Sequence, residues 1–272
     1  IEISHGIRSS QLEGILQARE RRKFTVSSVH NFLPMPIEIM TDSPDCYEFT
    51  SHRAKDRDRA LRLTLATIDW ASKMEAPFVV VHSGRIRSLN LTAPLRKMVE
   101  QGQLHSRAYI KKKIAAIQAR EKVAELHNSR VLEFLVEAAD HAGKLGVKLG
   151  IENREYYEAV PLERDFSTFL QRLDSAHAGY WHDFGHAQIK HNLGLIDHAQ
   201  HLEKMAPRLL GCHIHDTRWP FRDHAPPFTG ETPFAQLIPL LPANCATILE
   251  MSPRTEAAAI QQAAAEWKAT FA

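Results

Sequence analysis

Short apolar segments rich in β-branched residues alternate along the chain with longer segments of helical periodicity. This alternation is typical of βα units built around a parallel sheet. Leu61, Leu65 and Ile68 recur at one-turn spacing and predict a helix over 53–73, and a second helix is predicted over 255–271. Seven segments are predicted to be strands: Ile1–Ser4, Phe24–His30, Phe78–His82, Val147–Glu152, Tyr180–Asp183, Leu209–His215 and Thr247–Glu250.

The fold expected from this order is an α/β fold, a TIM-type (β/α)8 barrel. A length of 272 residues suits one such domain, spanning 1–272, better than two ordinary domains. A closed barrel of this type needs eight strands, and Ile1-Glu2-Ile3-Ser4 already reads as a strand with no helix before it. We therefore expect that the first βα unit is missing from this sequence, or that an eighth strand lies unrecognised elsewhere.

The connection from Ser83 to about Arg130 is far longer than a usual loop of a βα unit. It predicts a helical insertion at about 84–130. This segment is rich in lysine and arginine, including Arg85, Arg87 and Arg96, and has few acidic residues. It is either a solvated helical face or a basic flap over an anionic substrate.

Composition narrows the class of protein. Three scattered cysteines, with no C-x-x-C, argue against a disulfide framework and favour a reducing, cytoplasmic location. No apolar run is long enough to span a membrane, and no signal-peptide pattern follows Ile1. A net charge of +2 is too small to indicate a nucleic-acid partner, whereas 16 histidines, several at the ends of apolar runs, point to chemistry at those ends.

Most of the predicted strands have a potential metal ligand at their carboxyl end. The carboxyl ends of barrel strands converge on one rim, so ligands that are remote in sequence become neighbours there. The candidates are His30, His82, Glu152, Asp183, His213 and Glu250, with His186 in the turn after Asp183.

Three of these candidates, Glu152, Asp183 and Glu250, are carboxylates that would repel one another at the rim. An ionised carboxylate at a buried strand end is costly unless it is paired or bound to a cation. A divalent cation resolves the repulsion, and carboxylates with imidazole suit manganese, cobalt, zinc or magnesium. Each residue taken singly has a plainer interpretation, a structural histidine or a capping carboxylate, but the set as a whole favours a metal centre.

Residues two apart in a strand share a face. His213 and His215 are therefore both predicted to point into the barrel, while Cys212 points to the helix layer as a core residue. His182, next to Asp183, is predicted to face away from the site.

Five motifs occur in a distinctive order: Ile151-Glu152-Asn153, Trp181-His182-Asp183-Phe184-Gly185-His186, His213-Ile214-His215-Asp216, Asp223-His224-Ala225-Pro226-Pro227 and Gly230-Glu231. Together they resemble the xylose isomerase-like TIM-barrel superfamily, which contains sugar (phosphate) isomerases and epimerases alongside endonuclease IV-type enzymes. The resemblance runs from Ile1-Glu2-Ile3 to Glu250. In such families the second strand commonly reads like Ile1-Glu2-Ile3, in agreement with a missing first unit.

The resemblance implies a set of metal ligands at matching positions. By position, the residues that would hold the metal of the sugar isomerases and epimerases are Glu152, Asp183, His213 and Glu250. The resemblance also implies that Glu152 and Glu250 act as acid and base on opposite faces of the substrate carbon, with His186 touching a substrate hydroxyl. Arg218 or Arg222 is expected to bind another substrate oxygen. Enzymes of this superfamily are frequently dimers or tetramers, which allows a homo-oligomer here.

The endonuclease branch implies a different use of the same rim, with three zinc ions. There the counterparts of His30, His82 and Glu152 hold one zinc, and Glu152 bridges to the second. The third is held by the counterparts of His186, His224 and an aspartate two residues before that histidine. Two residues before His224 this sequence has Arg222 instead of an aspartate, and the nearest aspartate is Asp223, one residue further along the chain. His30, His82, His186, His215 and His224 are therefore second-metal or substrate candidates.

The leading hypothesis is an enzyme that transfers a proton next to a carbonyl in a small sugar or polyol, through an enediolate. A lyase that dehydrates a cyclic keto-polyol through the same enolate fits the residues equally well. The hypothesis from another class is a zinc-dependent phosphodiesterase acting at abasic DNA sites. The basic segment favours this hypothesis, and the small net charge argues against it. A non-catalytic barrel is the least favoured interpretation, because every core ligand position is filled.

Overall fold

A parallel sheet of seven strands forms the frame of the molecule. The computed structural model describes residues 1–41 and 43–271. Within them the seven strands pair in chain order, each parallel to the next. They are β1 Glu2–Ile3, β2 Ser28–His30, β3 Phe78–Val81, β4 Lys148–Glu152, β5 Ala178–Asp183, β6 Leu209–Ile214 and, after a hairpin, β9 Ala246–Leu249.

Helices cover the outer face of this sheet and close the core against it. The strands supply buried β-branched side chains such as Val79 and Val81, and the helices supply apolar stripes at helical spacing. On the second helix the buried stripe runs through Ala60, Thr64 and Ile68. The helices are α1 Ser9–Glu20, α2 Ala54–Lys73, α3 Thr92–Glu100, α4 Arg107–Lys144, α5 Phe166–Arg172, α6 Phe184–Asn192, α7 His198–Met205, α8 Phe234–Leu237 and α9 Ala257–Phe271, with 3-10 turns at Ala206–Arg208 and Ile238–Leu240.

The predicted TIM-type α/β architecture is confirmed, as a nearly closed barrel. All seven predicted strands are present, and β1 and β9 form the two edges of the sheet in the described part of the chain. Several predicted strands are a few residues too long. His82, His215 and Glu250 each lie one residue beyond the end of their strand, at the rim.

One pair of strands was not predicted, an antiparallel hairpin of β7 Asp216–Arg218 and β8 Arg222–Ala225. Its two short strands are polar and carry no alternation of apolar residues that a sequence pattern would reveal. The hairpin lies directly after β6 and carries Asp223 and His224 toward the rim.

The long basic segment after β3 contains α3 and the first part of α4. No boundary between helices of the described chain falls near residue 130, because α4 runs without interruption from Arg107 to Lys144. That residues 84–130 form a separate insertion therefore stays a prediction. No helix in residues 1–41 and 43–271 is long and apolar enough to cross a membrane.

Candidate active site and metal centre

The candidate ligands from six strands meet at the carboxyl rim. His30, Glu152, Asp183 and His213 are buried within the last residues of β2, β4, β5 and β6. His82 and Glu250 follow β3 and β9 by one residue. The Glu250 side chain is 30% exposed, so the rim is open to substrate on that side.

Glu152 lies at the centre of this group. Its Oε2 is 3.0 Å from Nε2 of His82, 3.3 Å from Nε2 of His30 and 3.7 Å from Nδ1 of His213. Its Oε1 is 3.3 Å from Nδ1 of His186. One carboxylate therefore faces imidazoles from four different parts of the chain.

Nδ1 of His213 is surrounded by carboxylates but forms no hydrogen bond with any described residue. It lies 3.0 Å from Oε2 of Glu250, 3.7 Å from Glu152 and 3.8 Å from Oδ2 of Asp183. Asp183, His213 and Glu250 each offer a ligand atom within 4.8 Å of the others. A buried ring nitrogen among three carboxylates, without a hydrogen bond, is the arrangement that a shared cation satisfies.

The other ring nitrogen of His213 is held by Glu2. Nε2 donates to the Glu2 carboxylate at 3.1 Å, and the hydroxyl of Ser28 donates to the same carboxylate at 2.7 Å. Histidines that ligate metals usually donate their second N–H to a carboxylate or carbonyl in this way. The contact fixes the orientation of the His213 ring and directs Nδ1 at the three carboxylates.

The carboxylates at this rim are ionised at neutral pH. Burial raises the pKa of Glu152, but His82 and His186 outweigh burial and hold it well below its ordinary value. Burial likewise raises the pKa of Asp183, yet His186 and His215 bring it below the ordinary aspartate value. Negative charge is therefore concentrated at one buried point.

Glu250 and His213 shift each other's pKa in opposite directions. Burial raises the pKa of Glu250, and the opposing effect of His213 is larger, so the pKa lies well below the ordinary value. Burial lowers the pKa of His213, but Glu250 and Glu2 outweigh it and raise the pKa well above the ordinary value. These opposite shifts show that the surroundings of His213 favour a positive charge.

His30 and His82 form a second arrangement on the other side of Glu152. Nδ1 of His30 donates to the backbone carbonyl of Asn31 at 2.9 Å, and Nδ1 of His82 lies 2.8 Å from the Asp45 carboxylate. Both Nε2 atoms are thereby directed at Glu152, and the three residues offer ligand atoms within 4.8 Å.

Arg154 extends its guanidinium, which is only partly buried, into this second arrangement. Its Nη1 lies 2.7 Å from Nε2 of His82 and 3.5 Å from Oε1 of Glu152, and its Nη2 is 3.3 Å from Asp45. A permanent positive charge at this place opposes a second cation beside His30 and His82. Arg154 could not be predicted as a site residue because it lies past the end of β4, where no periodicity gives the direction of its side chain.

His215 contacts the site through Asp183. Its Nδ1 accepts the backbone N–H of His224 at 2.8 Å, so its Nε2 carries the proton and lies 3.0 Å from Oδ2 of Asp183. Both nitrogens are used, which makes His215 a residue that positions Asp183. The predicted directions of His213 and His215 are confirmed, and Cys212 lies in the core as expected.

His186 and His224 flank the opening of the site. Nδ1 of His186 lies 3.0 Å from the carbonyl of Asn153, and its Nε2 lies 3.6 Å from Glu155. The ring of His224 stacks on His215 at 4.1 Å, and its Nε2 is 4.0 Å from Glu250. His224 is the more exposed of the two, and a contact of His186 with a substrate hydroxyl stays a prediction.

Asn153 and His182 complete the support behind the rim. The side-chain oxygen of Asn153 accepts the N–H of Asp183 at 2.8 Å, and its amide donates to the Asp183 carbonyl at 3.1 Å. These two bonds fix the end of β5 relative to β4. His182 faces away from the site, as predicted, and contacts His198 at 3.0 Å.

The two predicted substrate arginines lie on the hairpin, paired across it. The Arg218 guanidinium donates to Thr229, and both Arg218 and Arg222 are exposed. No contact joins either side chain to the carboxylates at the rim within the described residues. Their role in substrate binding stays a prediction.

Comparisons with known proteins agree with this fold. Residues 1–270 match the family model for xylose isomerase-like TIM barrels. A D-tagatose 3-epimerase-like protein has a similar structure, with a TM-score of 0.70, 17% identity and coverage of 98% of this chain and 86% of that one. No curated protein matches the sequence significantly.

Two further solved structures show the same likeness. The apo form of 3-keto-D-glucoside 4-epimerase from E. coli has a TM-score of 0.67 and 14% identity, with coverage of 96% of this chain and 85% of that one. A Thermus thermophilus protein soaked with ZnCl2 has a TM-score of 0.56 and 22% identity, with coverage of 97% and 88%. At these identities the likeness is one of fold.

Proposed function

The chain belongs to the family of xylose isomerase-like TIM barrels, and from this premise we propose that it is a metal-dependent isomerase or epimerase of a sugar or polyol. The observation that carries the proposal is the free Nδ1 of His213 among Glu152, Asp183 and Glu250. These four residues would hold one divalent cation. The epimerase neighbours of similar fold support the class of substrate.

The four residues fit a divalent cation by the chemistry of their donor atoms. Three ionised carboxylates and one imidazole suit manganese, cobalt, magnesium or zinc. A cation bound there would supply the positive charge that stabilises an enediolate as it develops on the substrate. The Arg154 guanidinium beside His82 supports one cation at this rim instead of the three that an endonuclease-type site would hold.

Glu152 and Glu250 are the proposed acid and base. They come from β4 and β9, which are separated in the sheet by β5 and β6, so they approach the space next to His213 from two sides. Both are ionised at neutral pH, so either can accept a proton from the carbon beside the substrate carbonyl. The other carboxylate takes up a proton from solvent at the open rim and delivers it to the opposite face of the same carbon, and His186 binds a substrate hydroxyl.

Proton exchange with solvent tests this proposal directly. A panel of ketoses and keto-polyols is incubated in D2O with the protein loaded with each candidate metal, and NMR follows deuterium entering the carbon beside the carbonyl. We expect exchange with at least one substrate, and a loss of about 10²–10⁴-fold in Glu152→Gln and in Glu250→Gln. The exposed Glu203→Gln serves as the matched control.

The products separate the related reactions. An epimer or isomer supports the proposal as stated, and a dehydrated product identifies the lyase that uses the same proton removal. Undiminished exchange in Glu250→Gln would remove Glu250 from the mechanism and overturn the assignment.

A further inference from the structure

We propose that an arginine-lined pocket beside the candidate active site binds an anionic group of the substrate, a phosphate or a carboxylate. This inference deepens the proposed function and rests on it, because it gives the sugar or polyol substrate an acidic substituent away from the reacting carbon. The pocket has a volume of about 250 Å³. Its lining includes Arg85, Arg87, Arg96, Asn90, Tyr156 and Glu158.

Arg96 supplies the strongest evidence that the pocket is an anion site. Its Nε and Nη2 atoms are buried and have no hydrogen-bond partner in the described part of the chain. The guanidinium lies over the rings of Tyr156 and Phe221, with centroid distances of 5.7 Å and 5.2 Å. Buried guanidinium nitrogens without hydrogen bonds are costly, and an oxyanion with two acceptor atoms would satisfy both of them.

The acidic residues near the pocket are already used by other partners. Glu158 accepts the backbone N–H groups of Leu91 and Thr92 and the hydroxyl of Thr92. It therefore caps the start of α3 from within the pocket wall. Its carboxylate makes no ion pair with Arg96 among the described contacts.

The second acidic residue, Glu48, is shared between two arginines. Its Oε2 accepts from Nε of Arg87 at 2.7 Å, and its Oε1 lies 4.0 Å from Nε of Arg85. One carboxylate thus faces two guanidinium groups whose side chains are 57% and 41% exposed. Positive charge remains in excess around the pocket, as an anion site requires.

The pocket and the active site are built on the same two loops. Arg85 and Arg87 follow His82 closely, and Tyr156 follows Glu152 closely. A bridge between Arg85 and Ala159 ties the two loops together. A substrate held at the carboxylate rim would therefore lie next to the loops that carry these arginines.

Neighbouring residues of one loop also contact the two places. Tyr156 forms a wall of the pocket, with the Arg85 guanidinium over its ring at 4.9 Å. Glu155, the residue before it, lies 3.6 Å from Nε2 of His186 in the active site.

Calorimetric titration with simple anions tests the pocket without turnover. Inorganic phosphate and acetate are titrated at matched ionic strength into the full chain and into Arg96→Gln. The control is Lys97→Gln, which removes the same charge from an exposed position on the same helix and outside the pocket lining. We expect saturable binding of at least one anion, at least about tenfold weaker in Arg96→Gln and unchanged in Lys97→Gln.

The two arms identify the class of anion, with phosphate binding indicating a phosphorylated substrate and acetate binding a sugar acid. Arg85→Gln is a second variant, partly exposed, that decides the matter if Arg96→Gln does not fold, and it too should weaken binding. Absence of binding by both anions, or binding that neither variant weakens, overturns the inference.

The outcome is separable from that of the proposed function. Glu250→Gln should bind the anion as the unmodified chain does, because Glu250 does not line the pocket. Loss of proton exchange in Glu250→Gln, with anion binding independent of Arg96, would leave the isomerase proposal standing and the pocket refuted.

Discussion

Nε2 of His213 donates to the Glu2 carboxylate at 3.1 Å and thereby leaves Nδ1 of the same ring 3.0 Å from Glu250. The first strand of the sheet thus decides which imidazole nitrogen is available at the rim. A carboxylate behind an imidazole also raises its basicity as a ligand. Glu2 is predicted to be a positioning residue for the proposed metal centre.

Glu2→Gln should therefore weaken metal binding without removing a ligand. The amide keeps the size of the side chain but loses the charge, and such changes behind a ligand cost about 10–100-fold in metal affinity. Competition with a chromophoric chelator measures the affinity, and the exposed Glu20→Gln is the control. Equal affinity in Glu2→Gln and in the control would show that Glu2 does not position His213.

Gly185→Ala should disturb the support of Asp183. A Cβ at Gly185 would lie 2.0 Å from the His215 ring, so His215 must move away from its contact with Asp183. We expect a loss of about 1–3 kcal/mol in the free energy of unfolding, together with weaker metal binding.

Gly14→Ala is the matched control for that substitution. Gly14 is exposed in α1 with nothing within 4 Å of an added Cβ, so alanine should stabilise the helix by about 0.5–1 kcal/mol. Urea denaturation measures both changes. Similar stability for the two variants would refute the close packing of Gly185 on His215.

Stability should fall in mild acid because two histidines behind the rim are buried in their neutral form. Burial, with a smaller effect of neighbouring histidines, lowers the pKa of His198 to about 3, and burial lowers the pKa of His201 to about 4. Below the ordinary histidine pKa, the unfolded chain binds protons that the folded chain does not. Stability present above about pH 6.5 is therefore lost as the pH falls toward 4, at about 1.4 kcal/mol per pH unit for each histidine.

His198→Gln should make the unfolding free energy depend less steeply on pH. The slope should fall by the contribution of one histidine, about 1.4 kcal/mol per pH unit. Urea denaturation between pH 7 and 4.5 measures the slope, with the exposed His105→Gln as control. Parallel curves for the unmodified chain and His198→Gln would contradict the burial of a neutral imidazole there.

The barrel and the residues at its rim could be predicted from the sequence because they follow a simple periodicity. Apolar strands ending in histidine or a carboxylate give both the sheet and the edge at which those side chains meet. Alternation along β6 also gave the direction of His213 and His215. These predictions needed no knowledge of the loops.

The supporting residues were missed for physical reasons that differ from case to case. Asp45 lies in an irregular segment between β2 and α2, so no period places it near His82. Arg154 and Glu155 follow β4 where the chain turns and alternation ends. Glu2 did carry a signal, a lone acidic residue between Ile1 and Ile3, but its partner His213 is remote in sequence and only the folded sheet brings them together.

The most direct test of the central claim is the metal content of the full chain after reconstitution and desalting. If Glu152, Asp183, His213 and Glu250 hold a catalytic cation, elemental analysis should find about one equivalent of divalent metal per chain. Asp183→Asn should lose it, and Glu203→Gln should keep it. Absence of metal in the reconstituted chain, or equal retention in Asp183→Asn, would contradict the account. Two or three equivalents of zinc would contradict a single cation and assign His30 and His82 to a second one.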